Sequence, residues 1–132
     1  MSRWQPAEVM RARILDAADR LFYGTGVRAI GVDSVAAEAG ISKRTLYNHF
    51  ASKDALIEAY LARRSVPLPA PAGDPLAEIM ASFDRLEETF RRGDFRGCPF
   101  VNAVAEIGDR RHGAARLAVA FKADREAWMR RR

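Results

Sequence analysis

Residues 35–56, VAAEAGISKRTLYNHFASKDAL, decide the fold. Apolar residues recur at helical spacing before Gly40, which is expected to end a short helix in a left-handed C-terminal position. Ser42 is placed to cap the next helix, because its hydroxyl can accept a first-turn N–H group. Leu46 and Phe50 lie one turn apart and are the inward positions of that second helix. The segment therefore predicts two short helices joined by a tight turn.

A longer helix precedes this pair, and another follows it. The first shows one apolar stripe, made of Ile14, Leu15, Ala18, Leu21 and Phe22. Gly24 and Gly26 are expected to end it. Ser52 can cap the following helix, whose core-facing residues are Leu56, Ile57, Tyr60 and Leu61. Two short helices on a tight turn, backed by a longer helix, form the layout of a helix-turn-helix.

The segment VPLPAPAG at residues 66–73 breaks this helical pattern. Its three prolines remove backbone donors and prevent a helix from continuing. We place a domain boundary here, which gives a helix-turn-helix domain over residues 1–65 and a second helical domain over residues 66–132. The second domain is expected to serve regulation, through effector binding and dimerisation.

Three helices are predicted in the second domain. Asp74 and Pro75 open a long amphipathic helix, Pro99 opens a short apolar helix over residues 100–107, and a last helix starts at about Gly113. No strand-like alternation appears in the sequence, so the predicted fold class is all-α.

Composition is that of a globular chain, with 48% hydrophobic and 30% charged residues. The apolar stretches are far shorter than the roughly 20 residues of a membrane span, and no signal peptide is visible in residues 1–10. The single cysteine, Cys98, is interpreted as a small buried hydrophobe rather than a redox sensor. A cytoplasmic protein without membrane contact is expected.

The charge points to a polyanionic partner. The net charge is +5, and residues 42–53 contain three cations and no acid. The outward positions of the second short helix are rich in hydrogen-bond donors, as the major groove requires: Lys43, Arg44, Thr45, Tyr47, Asn48 and His49. Lys53 starts the next helix, where its charge and the free N–H groups both favour phosphate. These seven residues are the candidate contacts to a double-stranded DNA operator.

Three of these positions leave alternatives open. Tyr47 either fills the core or reaches a phosphate, and we favour the phosphate. His49 is either an interior histidine or a backbone contact, and again the phosphate is favoured. Asn48 is the best candidate for reading a base, because its amide can pair bidentately with adenine.

The whole segment resembles the signature of the TetR family, in which a Gly-hydrophobic-Ser turn leads into a Thr-Leu-Tyr-x-His-Phe helix and a Ser-Lys-acid cap. The upstream run RARILDAADRLFYGTGVRAIGVDSVA, residues 11–36, resembles the family's first helix and the entry into its second. The resemblance covers roughly residues 10–64, and GDFRGCPFVNAVAEI at residues 93–107 resembles a stretch of one branch of the family.

The resemblance implies a DNA-binding head, a fourth helix that links it to a ligand-binding body, and a homodimer. It also implies a sequence-specific transcriptional regulator, a repressor released by a small hydrophobic ligand. Within the body, the aromatic residues Phe83, Phe90, Phe100, Phe121 and Trp128 are expected to form core. In such a body the same residues can also line a pocket, and Phe83, Asn102 and Phe121 are the candidate ligand-binding residues.

This sequence departs from the family pattern in two places. Ile30 and Gly31 stand where many relatives carry threonines, so Gly31 must cap the second helix, with Arg28 or Ser34 as candidate replacements for a lost phosphate contact. The family's body normally continues for two further helices that form the dimer interface. Either the chain is a truncation or it dimerises elsewhere, and the last helix is expected to expose the apolar residues Leu117, Phe121 and Trp128.

An enzyme is not expected. Asp109 and His112 are spaced as a possible metal or catalytic pair, but no third ligand or nucleophile accompanies them in the sequence, and a surface loop is the favoured interpretation. No metal or cofactor is expected. The alternative function is a helical protein-interaction module that no longer binds DNA, although such a module has no reason to keep an acid-free recognition surface.

Overall fold

The computed structural model describes residues 6–70 and 73–132 and places seven helices in them. They are α1 (Ala7–Gly24), α2 (Val32–Ala39), α3 (Lys43–His49), α4 (Lys53–Arg64), α5 (Pro75–Arg91), α6 (Pro99–Ile107) and α7 (Gly113–Arg130). These described ranges contain no strand, and the all-α prediction is confirmed. The first half of the stretch inspected for a signal peptide, residues 1–5, and two residues of the proline segment, Pro71 and Ala72, lie outside the described residues.

Local signals set the helix ends in the first half of the chain. Gly40 ends α2 in the left-handed conformation, with φ of 72°, where a side chain would be strained. Ser42 Oγ accepts a hydrogen bond from the backbone N–H of Thr45 at 3.1 Å, and Ser52 Oγ accepts one from Ala55 at 3.0 Å. The predicted caps of α3 and α4 are therefore confirmed.

The first four helices pack around fully buried aliphatic side chains, among them Ile14 of α1, Leu46 of α3 and Leu56 of α4. Phe22 and Tyr60 meet edge to face with ring centroids 5.6 Å apart, which ties α1 to α4. Burial raises the pKa of Tyr60 well above its ordinary value, so its phenol stays neutral.

The core continues past the proline segment into α6 and α7. Phe100, Ala103, Ala114 and Ala118 belong to the same buried cluster as the residues of the head. Phe100 stacks on Phe121 with centroids 3.9 Å apart and an interplanar angle of 12°. Helix α7 packs on both α4 and α6. The head and the last two helices therefore share one hydrophobic core.

Helix α5 contradicts the prediction for two aromatic residues. Phe83 and Phe90 are 55% and 57% exposed, so the expectation that they form core was wrong. No residue of α5 is buried. Its partly covered positions are mostly small or polar residues (Glu78, Ile79, Ala81, Ser82 and Thr89), and the apolar stripe therefore stays open to solvent.

Phe121 and Trp128 were expected to form core, and in the absence of further helices they were also expected on an exposed face of α7. The structure confirms the core expectation, and the expected exposure was wrong. Trp128 is buried, and its indole N–H donates to the carbonyl of Pro69 at 3.0 Å. Leu117 and Phe121 are partly buried against the core. The chain after α4 lies back along α7 and covers the tryptophan, so the exposed apolar stripe lies on α5 instead. Within the described residues, no helix is long and apolar enough to cross a membrane.

Candidate nucleic-acid interface

Helix α3 is anchored through one buried side chain, Leu46, and turns its other residues outward. Lys43, Arg44, Tyr47 and Asn48 are exposed, and Tyr47 is 42% accessible. Thr45 and His49 are half-buried. The interpretation of Tyr47 as a core residue is therefore ruled out, since a ring so open is free to reach a bound molecule. Direct contact of these residues with DNA stays a prediction.

The start of α3 is stabilised by two hydroxyl groups. Ser42 Oγ lies 2.9 Å from Thr45 Oγ1, in addition to its bond with the Thr45 backbone N–H. The Thr45 hydroxyl therefore serves the cap and has less hydrogen-bonding capacity left for a base.

Within the described residues, Lys43 is the one residue of α3 that makes an ion pair. Its Nζ lies 3.3 Å from a carboxylate oxygen of Asp33 in the first turn of α2, and both side chains are exposed. Such a pair contributes little stability. The Lys43 ammonium can therefore exchange this carboxylate for a phosphate at little cost, whereas Arg44 makes no ion pair within the described residues.

The N-terminus of α4 lies directly after α3. Ser52 caps it, and Lys53 is its first residue and half-buried. A cation in the first turn of a helix does not stabilise that helix, because the helix N-terminus is itself positive. The cation and the free N–H groups of the first turn both attract an anion. Contact between Lys53 and a phosphate therefore stays a prediction.

The first departure from the family pattern lies at the start of α2, where Gly31 is the N-cap as expected. Gly31 is extended, with φ of −92° and ψ of 166°, and no side chain caps the helix. Arg28 and Ser34 are both exposed. Their role in replacing a lost phosphate contact stays a prediction.

Sequence reasoning missed a hydrogen-bonded link between the end of α1 and the turn before α6. The Tyr23 hydroxyl donates to the Gly97 carbonyl at 2.8 Å and accepts from the Arg96 backbone N–H at 2.7 Å. The Arg96 guanidinium donates in turn to the Tyr23 carbonyl at 3.0 Å. These residues are separated by 73 or 74 positions, and the only sequence signal was a tyrosine placed after the apolar stripe of α1.

A second link joins α6 to the loop that leads into α2. The Glu106 carboxylate accepts a hydrogen bond from the Val27 backbone N–H at 3.2 Å. Gly26, with φ of 126°, leaves the space that this carboxylate occupies, because a Cβ there would lie 2.1 Å from Glu106 Oε1. Helix α6 is thus in direct contact with the entry to the helix-turn-helix.

His112 and Asp109 serve the turn before α7. His112 Nδ1 accepts the Ala114 N–H at 3.0 Å and so caps α7, while its Nε2 lies 3.0 Å from Asp54 Oδ1 in α4. Asp109 accepts the Arg111 N–H at 2.9 Å. Among the described residues no group of three potential metal ligands occurs.

The three candidate ligand-binding residues lie in different settings. Phe83 is on the exposed face of α5, and Phe121 is stacked on Phe100 under the Arg125 guanidinium. The Asn102 amide donates to the Arg96 carbonyl at 2.9 Å and holds the turn before α6, at the edge of a cavity of about 300 Å³. Cys98, also in this turn, is half-buried against the core, in line with its interpretation as a small hydrophobe.

A larger apolar groove of about 550 Å³ runs between α6 and α7, and none of the three candidate residues lines it. Its lining includes Val101, Val104 and Val119, with Lys122 and Glu126 at polar positions. Sequence reasoning did not single out these valines, because a valine on an amphipathic helix is ordinarily core.

The comparisons with known proteins agree with this geometry. The family model described as bacterial regulatory proteins, tetR family, matches residues 14–60. A TetR-family transcriptional regulator from Streptomyces coelicolor is similar in structure, with a TM-score of 0.80 and 35% identity, over 88% of this chain and 65% of that one. A putative TetR transcriptional regulator from Streptomyces avermitilis gives a TM-score of 0.78 and 39% identity, over 90% of this chain and 68% of that one.

A curated relative from Mycobacterium tuberculosis, an uncharacterized HTH-type transcriptional regulator, is 38% identical over 79 residues, which are 60% of this chain. The match covers 39% of that protein's length.

Proposed function

This chain belongs to the TetR family of bacterial regulatory proteins, and from that premise we propose that it binds an operator in double-stranded DNA and regulates transcription. One observation carries the proposal: α3 presents an outward row of donors, and its one acidic neighbour, Asp33, is a weak and exposed partner. Helix α3 enters the major groove, and the N-terminus of α4 lies on the phosphate backbone.

Within this surface the residues divide by chemistry. Lys43, Tyr47, His49 and Lys53 contact phosphates, which positions the head without reading sequence. Arg44 and Asn48 read bases, since guanidinium and amide groups pair bidentately with guanine and adenine, and Thr45 contributes mainly through its methyl group.

The test is the salt dependence of binding. Lys53→Ala is expected to lower the slope of log affinity against log salt by roughly 0.9, the value for one lost phosphate contact. Fluorescence anisotropy with a short duplex, at several salt concentrations, measures it. Lys122→Ala is the matched control, because Lys122 is exposed on α7 outside the head. Equal slopes for the wild type and Lys53→Ala would remove Lys53 from the phosphate contacts.

The alternative, a protein-interaction module, predicts a different outcome. It expects no salt-dependent binding to any duplex, for the wild type or for either variant. The contacts of the head favour DNA, because a protein-binding surface would gain nothing from leaving Arg44 and Lys53 without carboxylate partners among the described residues.

We propose further that the protein is a cytoplasmic repressor and that a small hydrophobic effector binds its body, residues 66–132, and weakens its hold on DNA. The apolar groove between α6 and α7 supports an effector of this kind. Helix α6 lines this groove. The Glu106–Val27 and Tyr23–Gly97 hydrogen bonds would connect α6 and the turn before it to the head, residues 1–65. An effector can change the affinity for DNA only as far as it binds the DNA-bound and the DNA-free protein with different affinities. We propose binding of DNA and of an effector for this fold, and no catalytic activity.

A homodimer is also proposed, and α5 supplies its surface. Five large apolar side chains lie on one helical face and are 46–66% exposed: Leu76, Met80, Phe83, Leu86 and Phe90. At about 150–250 Å² for a large side chain, this stripe exposes on the order of 500 Å² per copy. Two copies would bury roughly the 1,000 Å² that a specific interface needs. Exposed apolar patches of this size are often functional contact surfaces.

Sedimentation velocity over a range of concentrations tests this assembly. Phe83→Glu places a charge in the stripe and is expected to shift the protein to monomer. The control is Val9→Glu, since Val9 is 47% exposed on α1, outside the stripe. A dimer that survives Phe83→Glu unchanged would assign the interface to another surface.

A further inference from the structure

The basic side chains of the head fall into two groups. Some are neutralised within the protein: Arg20 pairs with Glu38, Arg63 with Asp16 and Arg64 with Asp19. Others have no ion pair within the described residues, and they include Arg44 and Lys53 of the proposed interface and also Arg11, Arg13 and Arg28. Of these, Arg11 is held beside the interface.

Arg11 is fixed to the end of the recognition helix by an aromatic ring. Its guanidinium carbon lies 4.5 Å from the ring centroid of Phe50, which is buried and is the C-cap of α3. Arg13, two residues further along α1, lies near the turn before α3. Its Nη2 would be only 2.9 Å from a Cβ at Gly40. The first half of α1 therefore runs beside α3.

Phe50, the residue that Arg11 contacts, lies along the chain between two candidate phosphate contacts, His49 and Lys53. Phe50 directly follows His49 and precedes Lys53 by three residues, a stretch that spans at most roughly 11 Å of chain. Each strand of duplex DNA carries a phosphate about every 3.4 Å along the axis, so one backbone segment can meet several such cations. Glu8, one turn earlier on α1, makes no ion pair with Arg11.

We propose that Arg11 is a phosphate contact of the DNA interface, held in position by its stacking on Phe50. The inference rests on the proposed DNA binding of the head. A guanidinium held over an aromatic ring keeps the N–H donors at its own edges free to bond phosphate oxygens. Because the ring already restricts the side chain, less conformational entropy is lost when the phosphate binds.

The test compares Arg11→Gln with Arg11→Lys in anisotropy titrations on a short duplex of arbitrary sequence, across a salt series. Arg11→Gln removes the charge while keeping helix propensity, and it is expected to lower the salt slope by roughly 0.9. Arg11→Lys keeps the charge and is expected to keep the slope. Arg20→Gln is the control, since the Arg20 guanidinium is already 3.0 Å from Glu38 and should not move the slope.

Thermal melting of the free protein separates this role from a purely structural one. If Arg11 only covers Phe50, Arg11→Gln will lower the melting temperature and leave the salt slope unchanged, and the proposal is overturned. If the wild type shows no salt-dependent binding, the DNA-binding proposal and this one fall together. If Lys53→Ala lowers the slope and Arg11→Gln does not, only the Arg11 proposal fails.

Discussion

Leu46→Ala is expected to destabilise the protein by about 2–5 kcal/mol and to abolish specific DNA binding. Leu46 is fully buried and is the one residue of α3 that is buried. Its truncation leaves a cavity beneath a seven-residue helix that has too few turns to be stable alone. The outward side chains of α3 would then lose the fixed spacing that base reading needs.

Denaturant unfolding, followed by far-ultraviolet circular dichroism, measures the loss of stability, and anisotropy measures binding. Leu76→Ala is the matched control, because Leu76 is 66% exposed on α5 and the same truncation there should change stability by well under about 1 kcal/mol. Wild-type binding by Leu46→Ala would mean that the caps alone hold α3 in place.

Phe100→Ala is expected to cost about 3–5 kcal/mol, although Phe100 lies outside the DNA-binding half of the chain. Its ring is buried in the core cluster that the head shares, and it stacks on Phe121 at 3.9 Å. Removing it opens a cavity where α6 meets the head. The head is therefore expected to lose stability together with the body, in one transition.

Phe90→Ala provides the comparison, since Phe90 is 57% exposed on α5 and its ring meets that of Phe95 edge to face, with centroids 5.0 Å apart. The two variants remove the same atoms, and only the buried one should shift the denaturation midpoint strongly. Two separate transitions in Phe100→Ala, with the head melting at its wild-type midpoint, would contradict the shared core.

The first four helices were predictable because their signals are local. Ser42, Ser52 and Gly40 act within three residues of their own positions, so each cap could be inferred from neighbours in the sequence. The outward set of α3 followed from the same spacing, once Leu46 was placed inward.

The body was less predictable, because an amphipathic pattern shows which face is apolar and not whether anything covers it. The stripe with Phe83 and Phe90 has the spacing of a core face and is exposed all the same. Trp128 was expected on an open face and is covered by the carbonyl of Pro69, from a segment 59 positions away. Contacts between residues so far apart in the sequence depend on the fold of the whole chain.

The Arg11 contact shows the same limit within the head. A basic residue on the exposed side of α1 carries no periodicity signal, and its stacking on Phe50 depends on how α1 crosses α3. The Glu106–Val27 bond was equally invisible, because a lone glutamate in an apolar helix is ordinarily a solvated residue.

The core shared by α1–α4, α6 and α7 links the stability of the head to that of the last two helices. Amide protons in α6 and α7 can exchange with solvent only when that core opens, and so can those of α1 and α4. A DNA duplex that binds the head should therefore slow hydrogen–deuterium exchange in α6. A small molecule bound between α6 and α7 should likewise slow exchange in α1. Exchange mass spectrometry can thus detect an unknown effector from peptides of the head, before its binding site is known.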